Sequence, residues 1–310
     1  MTYKKWLSEW LELYVKPLKH RTYERYKEIC NLHIIGQLGD YELDELKPLV
    51  LQRHINELMA HGNRKNGGVL SANYVNAIIT VLQSSLKRAN ELGYASAYYA
   101  GAIQRPRIAE GEVKCFTVKE QKAIEKAVLD SRKRKMLGVI IALYTGLRIG
   151  ELLSLECSAV DMQKRTITVK TTCYESKDEN GKYAKITDST KSHRIRVIPF
   201  PKQLLPIFKE LKALSKSGYL IENAKGEQMS VRSYQKSFEL LVEQLGVSKL
   251  SFHALRHTFA TRALESGMDI KTLSEVLGHK SATVTLNRYA HSMMEHKQNA
   301  MDKFGALLTK

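Results

Sequence analysis

The sequence predicts a mostly α-helical protein with a small β-sheet, an α+β fold class, arranged in two domains. Apolar residues recur at helical spacing through about the first 100 residues and again from residue 231 onward. Between these regions lie two short segments, 166–171 and 195–198, in which apolar and polar residues alternate as they do in strands. Hydrophobic residues make up 43% of the chain, which is enough to form folded cores.

The first domain, residues 1–100, is predicted to be helical throughout. Trp6 and Trp10 fall on one face of an opening helix, and Thr22 is a candidate N-cap for the next one. Ser71 is a candidate N-cap for a long apolar-striped helix that Gly93 would end.

A linker is predicted over residues 101–112, where the apolar pattern gives way to Gly, Pro, Arg and Glu. The segment Thr117–Glu120 (TVKE) then has the form of a capping box that opens a new helix. We therefore place the second domain at residues 113–310.

Within the second domain the sequence predicts helices, then strands, then helices again. The run MLGVIIALYTG reads as an apolar helix that Gly146 interrupts or ends. The two alternating segments are separated by a polar stretch rich in Lys, Asp, Glu, Asn and Gly, which we interpret as a flexible hairpin between strands.

The charge of the chain indicates a polyanionic partner. Lys and Arg number 49 against 32 Asp and Glu, a net charge of +17, and nucleic acid is the commonest partner of such proteins. An anionic membrane surface is the alternative, but neither a basic anchor helix nor an apolar run long enough to span a bilayer is found. The four cysteines form no CxxC pair, and with no export signal we expect reduced thiols in a cytoplasmic protein.

Three segments combine charged and polar residues at suggestive spacings. TGLRIGELLSL places Arg148 three residues before Glu151, on one face if the segment is helical, a spacing that an ordinary surface ion pair also explains. HALRHTFAT places His253 three residues before Arg256 on one helical face. His253 and His257 also have the i, i+4 spacing of a zinc helix, but Ala254 stands where a zinc protease has Glu, so we predict no metal site. LGHKSATVTLNRYAH follows, with its histidine ten residues before a tyrosine.

These segments resemble the conserved boxes of the tyrosine recombinase family, which includes lambda-type integrases, Cre and the Xer proteins. The family also carries a lysine on a β-hairpin, in a TK[ST] sequence that leads into an IP motif, and TKSHRIRVIPF supplies that pattern here. The resemblance is strong over residues 145–291. It implies a mixed α/β catalytic domain in which Glu151 has a supporting role. It also implies a complete catalytic set: Arg148, Lys191, His253, Arg256, His279 and Tyr289.

Several assignments near the hairpin remain open. Lys182 and Lys185 precede Lys191 and are alternatives to it as the catalytic lysine. Arg194 and Arg196 are candidate phosphate contacts, or else part of a solvated strand face. His193 and His257 are interpreted as structural or backbone-positioning residues.

The residue types suit phosphoryl transfer without a metal or other cofactor. Two arginine guanidiniums can bind the non-bridging oxygens of a phosphodiester in fork geometry and stabilise the charge of the transition state. The resemblance implies that Tyr289 is the nucleophile, His253 accepts its proton and Lys191 protonates the leaving 5′-oxygen.

The N-terminal part resembles, more loosely, the helical core-site-binding domain of integrases from phages and conjugative elements. The resemblance implies a two-domain clamp on double-stranded DNA, a homotetramer on the recombination site, and a nucleoid-associated location, with accessory DNA-bending or directionality proteins. Many such integrases also carry a small arm-site-binding domain, which the resemblance does not find in this chain. A tail with apolar residues at helical spacing either packs on its own domain or docks on a neighbouring protomer: Met294, Met301, Phe304 and Leu308.

Other functions compete with this interpretation. A type IB topoisomerase uses a similar catalytic set, but the integrase-like N-terminal domain argues against it. A non-catalytic DNA-binding protein on a recombinase scaffold would show a gap in the set, and the sequence shows none. An unrelated basic helical module would explain the charge but not six matched positions.

Overall fold

The computed structural model describes residues 1–63, 67–108, 111, 113–131, 133–177, 183–189 and 195–289, and residues 298, 301, 302, 304–306 and 308 of the tail. The chain divides into two compact units, Met1–Gly111 and Glu112–Lys310. The division falls inside the linker predicted at 101–112. No helix in these described residues is long and apolar enough to cross a membrane.

The described residues of the N-terminal unit form a bundle that contains five α-helices: α1 (Tyr3–Trp10), α2 (His20–Ile29), α3 (Ile35–Leu38), α4 (Pro48–His61) and α5 (Ala72–Glu91). Its core gathers the apolar stripes that the sequence shows, with Trp6 and Trp10 almost fully buried. The hydroxyl of Ser71 accepts a hydrogen bond from the Tyr74 backbone and caps α5, as predicted. The prediction for Thr22 is wrong, because α2 already begins at His20, after the extended backbone of Lys19.

The C-terminal unit begins with three helices: α6 (Val118–Asp130), α7 (Leu137–Thr145) and α8 (Ile149–Leu153). Thr117 and Glu120 form the predicted capping box at the start of α6. Helix α7 ends at Gly146, which has a left-handed conformation with φ of +64°. A Cβ at this glycine would lie 2.5 Å from the ring of Phe259, so both the backbone and the packing require glycine here.

Among the described residues five strands follow: β1 (Val160–Asp161), β2 (Thr166–Val169), β3 (Thr171–Lys177), β4 (Tyr183–Ser189) and β5 (Arg196–Pro199). Strands β1, β2 and β5 form one antiparallel sheet in that order, and β3 pairs with β4 in a second. Strands are present at both predicted places, as β2 at 166–169 and β5 at 196–199. The polar stretch between them, interpreted as a flexible hairpin, contains the paired strands β3 and β4, whose bounds the sequence did not predict. That pair is held by main-chain bonds in the register Thr171↔Ser189 to Lys177↔Tyr183, and its mostly polar side chains give no apolar alternation to detect.

The remaining helices close the unit: α9 (Leu205–Leu214), α10 (Val231–Gln244), α11 (His253–Glu265), α12 (Ile270–Leu277) and α13 (Ala282–Tyr289). Helix α11 packs against the buried α7 and also contacts α12. A small apolar cluster joins α11 and α12 to the end of α13, where Tyr289 is buried. The residues after α7, the turn after α12 and the end of α13 therefore all lie next to α11.

Candidate active site

Arg148 lies at the start of α8, immediately after the break that Gly146 makes. Its backbone is extended and serves as the N-cap of the helix, so the two charged residues do not share a helical face as the sequence suggested. The Glu151 carboxylate accepts hydrogen bonds from the backbone N–H of Arg148, at 2.9 Å, and from its Nη1, also at 2.9 Å. The side chain of Arg148 remains 40% exposed, whereas that of Glu151 is 3% exposed. The buried carboxylate therefore orients a guanidinium that faces solvent.

A second arginine, Arg196 on β5, contacts the same carboxylate. Its Nη1 and Nη2 donate to the two Glu151 oxygens at 3.0 and 2.7 Å, the bidentate geometry that suits a planar guanidinium. Burial raises the pKa of Glu151, but the hydrogen bonds and charge of Arg196 and the charge of Arg148 outweigh it and lower that pKa to about 2. Glu151 is therefore ionised at any working pH.

Arg256 on α11 is 2% exposed and is bonded to two backbone carbonyls. Its Nη1 donates to the Gly146 oxygen at 2.8 Å, and its Nη2 donates to the Leu277 oxygen at 2.7 Å. The first carbonyl belongs to the turn that leads to Arg148, and the second to the last turn of α12. Burial and the charge of Arg148 lower the pKa of Arg256 to about 9, so the guanidinium stays charged at neutral pH.

His279 follows the left-handed Gly278 that ends α12. Its backbone N–H donates to the Ser274 oxygen, and its Nδ1 lies 2.7 Å from the Thr285 hydroxyl on α13. The histidine is thus held at both its backbone and its ring, directly beyond the carbonyl that Arg256 contacts.

Tyr289, the last residue of α13, is 2% exposed. Its hydroxyl lies 2.7 Å from Nδ1 of His257 on α11, and the His257 ring contacts the His253 ring at 4.7 Å between centroids. Burial raises the pKa of Tyr289, and the charges of Arg256 and Arg288 act in the opposite direction. The candidate nucleophile is therefore a neutral phenol at neutral pH, in contact with His257, which in turn contacts His253.

The histidines of the site are neutral as well. Partial burial, followed by the neighbouring His253 ring and Arg288, lowers the pKa of His257 to about 3. Burial and the charges of Arg256 and Arg148 lower the pKa values of His253 and His279 to about 4. Each ring is therefore unprotonated at neutral pH, and none adds a positive charge to the two arginines.

The sequence-predicted residues fall into two groups. The first group consists of predicted residues that the structure brings into one region: Arg148, Glu151, His253, Arg256, His279 and Tyr289. Lys191 and Arg194 lie outside the described residues, as do His193 and Lys182. Lys185 is exposed on β4, and its Nζ donates to the Gln228 carbonyl. In the described part of the chain no group of His, Cys, Asp or Glu side chains is arranged to hold a metal ion.

His257 is the residue whose importance the sequence interpretation missed. It was taken as structural, yet in the fold it contacts the candidate nucleophile. A signal was present, because His257 lies one helical turn after His253 and therefore on the same face of α11. That spacing was tested only as a zinc motif.

Comparison with known families decides what this site belongs to. The sequence profile of the phage integrase family matches residues 114–296, and that of the phage integrase N-terminal SAM-like domain matches residues 2–59. The first match alone covers more than half of the chain. The chain belongs to the phage integrase family. The predicted tyrosine recombinase, an enzyme of site-specific DNA recombination, is thereby confirmed.

Individual relatives of this integrase-family protein agree. A tyrosine recombinase XerC-like protein of Caldanaerobacter subterraneus subsp. tengcongensis is 29% identical over 97% of this chain and 81% of its own length. The integrase of transposon Tn1549, solved with circular-intermediate DNA, is 21% identical, with a TM-score of 0.82 over 98% of this chain and 99% of its own. Lambda integrase, solved as a tetramer bound to a Holliday junction, is 20% identical, with a TM-score of 0.68 over 91% of this chain and 79% of its own. The predicted α+β fold class is confirmed.

The neutral histidines make the stability of the C-terminal unit pH-dependent. A histidine with a lowered pKa stays neutral in the folded protein, while the unfolded chain takes up a proton below about pH 6.5. Stability is therefore full above about pH 7, and we expect it to fall as the pH drops towards 5, before most carboxylates protonate. Thermal unfolding at pH 7.5, 6 and 5 measures this loss. In His257→Asn the fall in Tm is expected to be smaller, and an identical slope in both proteins would refute the contribution of His257.

Proposed function

We propose that this integrase-family protein cleaves and rejoins DNA through Tyr289, with Arg148, Arg256 and His279 binding the scissile phosphate. The observation that carries the proposal is the position of Arg256. Its two hydrogen bonds join the turn before Arg148 to the end of the helix before His279. The three proposed phosphate ligands are therefore connected through the Arg256 side chain. Tyr289 ends the helix that follows.

The reaction exchanges one phosphodiester for another. The Tyr289 oxygen attacks the phosphorus, the bond to the 5′-oxygen breaks, and a 3′-phosphotyrosine forms with release of a 5′-hydroxyl. A 5′-hydroxyl of a second strand then attacks the same phosphorus and releases the tyrosine. The number of phosphate ester bonds is conserved at each step, so the exchange needs no ATP. We assign stabilisation of the transition-state charge to Arg148 and Arg256, so the proposed reaction needs no metal.

Two proton transfers accompany each step. The phenol of Tyr289 must lose a proton, and the His253–His257 pair supplies neutral acceptors beside it. The leaving 5′-oxygen must gain a proton, which we assign to Lys191 on the motif that the sequence shows. Because Tyr289 is buried and its hydroxyl contacts His257, DNA binding has to expose the hydroxyl before it can reach a phosphate.

The proposed partner is double-stranded DNA, bound by the two units as a clamp. The Tn1549 and lambda integrases were solved on DNA, the latter as a tetramer on a Holliday junction, and we propose a homotetramer here too. The described tail residues Met301, Phe304 and Leu308 are between 55% and 72% exposed, which favours docking on a neighbouring protomer over packing on their own domain. Met294 lies outside the described residues. Accessory proteins and a place in the bacterial nucleoid remain part of the proposal.

The experiment is covalent trapping on a nicked recombination site. The nick lets the short cleaved strand diffuse away, so the protein–DNA adduct accumulates. We expect an adduct that forms in EDTA without ATP, and whose DNA-linked peptide, after proteolysis, contains Tyr289. Absence of an adduct on a site that the protein demonstrably binds would favour a non-catalytic DNA-binding protein. Relaxation of supercoiled plasmid without any strand exchange would favour the topoisomerase alternative.

A further inference from the structure

Arg196 joins three parts of the C-terminal unit that carry site residues. From β5 it reaches Glu151 on α8 with both terminal nitrogens, and its Nε donates to the Val276 carbonyl on α12 at 3.0 Å. We propose that Arg196 is a positioning residue for strand cleavage, which keeps Arg148 available to the phosphate by holding Glu151, and which fixes the turn that carries His279. This inference rests on the proposed cleavage activity.

The first half of the argument concerns competition for one carboxylate. Glu151 is 3% exposed and fully ionised, so it needs cationic partners. Arg196 takes both of its oxygens, whereas Arg148 donates to Oε1 through Nη1 and remains 40% exposed. Without Arg196, we expect the Arg148 guanidinium to turn towards the buried carboxylate and form the bidentate ion pair with Glu151 itself. Arg148 would then be turned away from a phosphate, which requires the same fork geometry.

The second half concerns the end of α12. The carbonyls in the last turn of a helix carry partial negative charge, and Arg196 donates to that of Val276. The next turn approaches the arginine closely, because a Cβ on Gly278 would lie 3.1 Å from Cδ and Nη1 of Arg196. Gly278 also has a φ of +66°, a conformation that favours glycine, and a Cβ there would force Arg196 to shift by a few tenths of an ångström. Arg196 therefore packs directly against the residue that precedes His279.

These contacts argue against the phosphate contact considered for Arg196 from the sequence. All three of its guanidinium nitrogens donate to Glu151 or Val276, and two of these bonds pair it with a buried carboxylate. Contact with DNA would break a bidentate ion pair that the buried Glu151 needs. A positioning role uses the arginine as the structure shows it.

The test compares Arg196→Met and Arg196→Lys with wild type in two assays. Single-turnover adduct formation on the nicked site measures cleavage, and DNA affinity at several salt concentrations counts phosphate contacts. For Arg196→Met we expect cleavage to fall about 100-fold, the order of loss that small misplacements of catalytic groups cause. The DNA Kd and its salt dependence are expected to stay as in wild type. Arg196→Lys restores one contact to the carboxylate, so its cleavage rate is expected to be intermediate.

A double-mutant cycle tests whether Arg196 acts through Glu151. Glu151→Gln removes the charge for which the two arginines compete, so the double variant is expected to lose less cleavage activity than the sum of the single losses. The matched control is Arg134→Met, which removes another arginine paired with a buried carboxylate, that of Glu222, in the same unit. It is expected to lower Tm but leave cleavage by the folded protein unchanged. Should Arg196→Met not fold, Arg196→Lys and the double variant carry the same comparison.

Three outcomes would overturn the proposal. If Arg196→Met bound DNA more weakly, and the slope of log K against log salt fell by about the amount of one phosphate contact, Arg196 would be a DNA contact. Cleavage equal to wild type in folded Arg196→Met would leave it only a stabilising role. Additive losses in the cycle would show that it does not act through Glu151. If the wild-type protein itself formed no adduct, the proposed function would fail instead. That result is obtained without the Arg196 variants, so the two failures are distinguishable.

Discussion

Tyr289→Phe is expected to abolish the covalent protein–DNA adduct, a loss of about 10⁴-fold or more, because the variant has no oxygen to attack the phosphorus. DNA affinity is expected to change less than about threefold, since contacts to phosphates elsewhere dominate binding. The phenylalanine ring can keep the place of the tyrosine in the apolar cluster between α11 and α12. The hydroxyl contact with His257 is lost, which costs about 1 kcal/mol of folding free energy.

Tyr234→Phe is the matched control. Tyr234 is also a buried tyrosine of the C-terminal unit, and its hydroxyl donates to the Lys135 carbonyl at 2.9 Å. Loss of the Tyr234 hydroxyl is expected to lower Tm by about as much as Tyr289→Phe does. Adduct formation is expected to stay at the wild-type rate. Adducts are resolved on denaturing gels and binding by mobility shift. An adduct that persists in Tyr289→Phe would mean that another side chain is the nucleophile.

The sequence was sufficient for the fold class because the features that determine it are local. Helical spacing, the Ser71 and Thr117 caps and the glycine after α7 all act over a few residues, and each appears in the structure. The bounds of the β3–β4 hairpin were not predicted, because its stability comes from main-chain pairing between segments with few apolar side chains. Local pattern alone cannot reveal such a pairing.

The site shows the same division. The residues of the site were recognisable from the resemblance of short motifs to the tyrosine recombinase boxes, but the contacts between those motifs were not. Arg196 is 45 positions from Glu151 and 80 from Val276, so nothing near it in sequence indicates an ion pair instead of a phosphate contact. His257 and Tyr289 are 32 positions apart, and only the packing of α13 beside α11 brings them together.

The second large effect is expected for Arg256→Lys, which should lose both activity and stability. A lysine carries one ammonium and cannot donate to two carbonyls in the divergent directions of a guanidinium. At least one of the Gly146 and Leu277 carbonyls would be left without its buried donor, at a cost of about 1–3 kcal/mol. Cleavage is expected to fall about 10²–10³-fold, because the same guanidinium is the proposed phosphate ligand and holds the turns of two others.

Arg148→Lys separates these two effects. Arg148 is 40% exposed, and a lysine there can keep the ion pair with Glu151, so Tm is expected to stay close to wild type. Its cleavage is nevertheless expected to fall as far as that of Arg256→Lys, because a single ammonium replaces the fork on the phosphate. Both variants are assayed below the unfolding transition, by single-turnover adduct formation beside thermal unfolding. Equal loss of Tm in the two variants would contradict the division between a buried arginine that connects the site and an exposed one that faces the DNA.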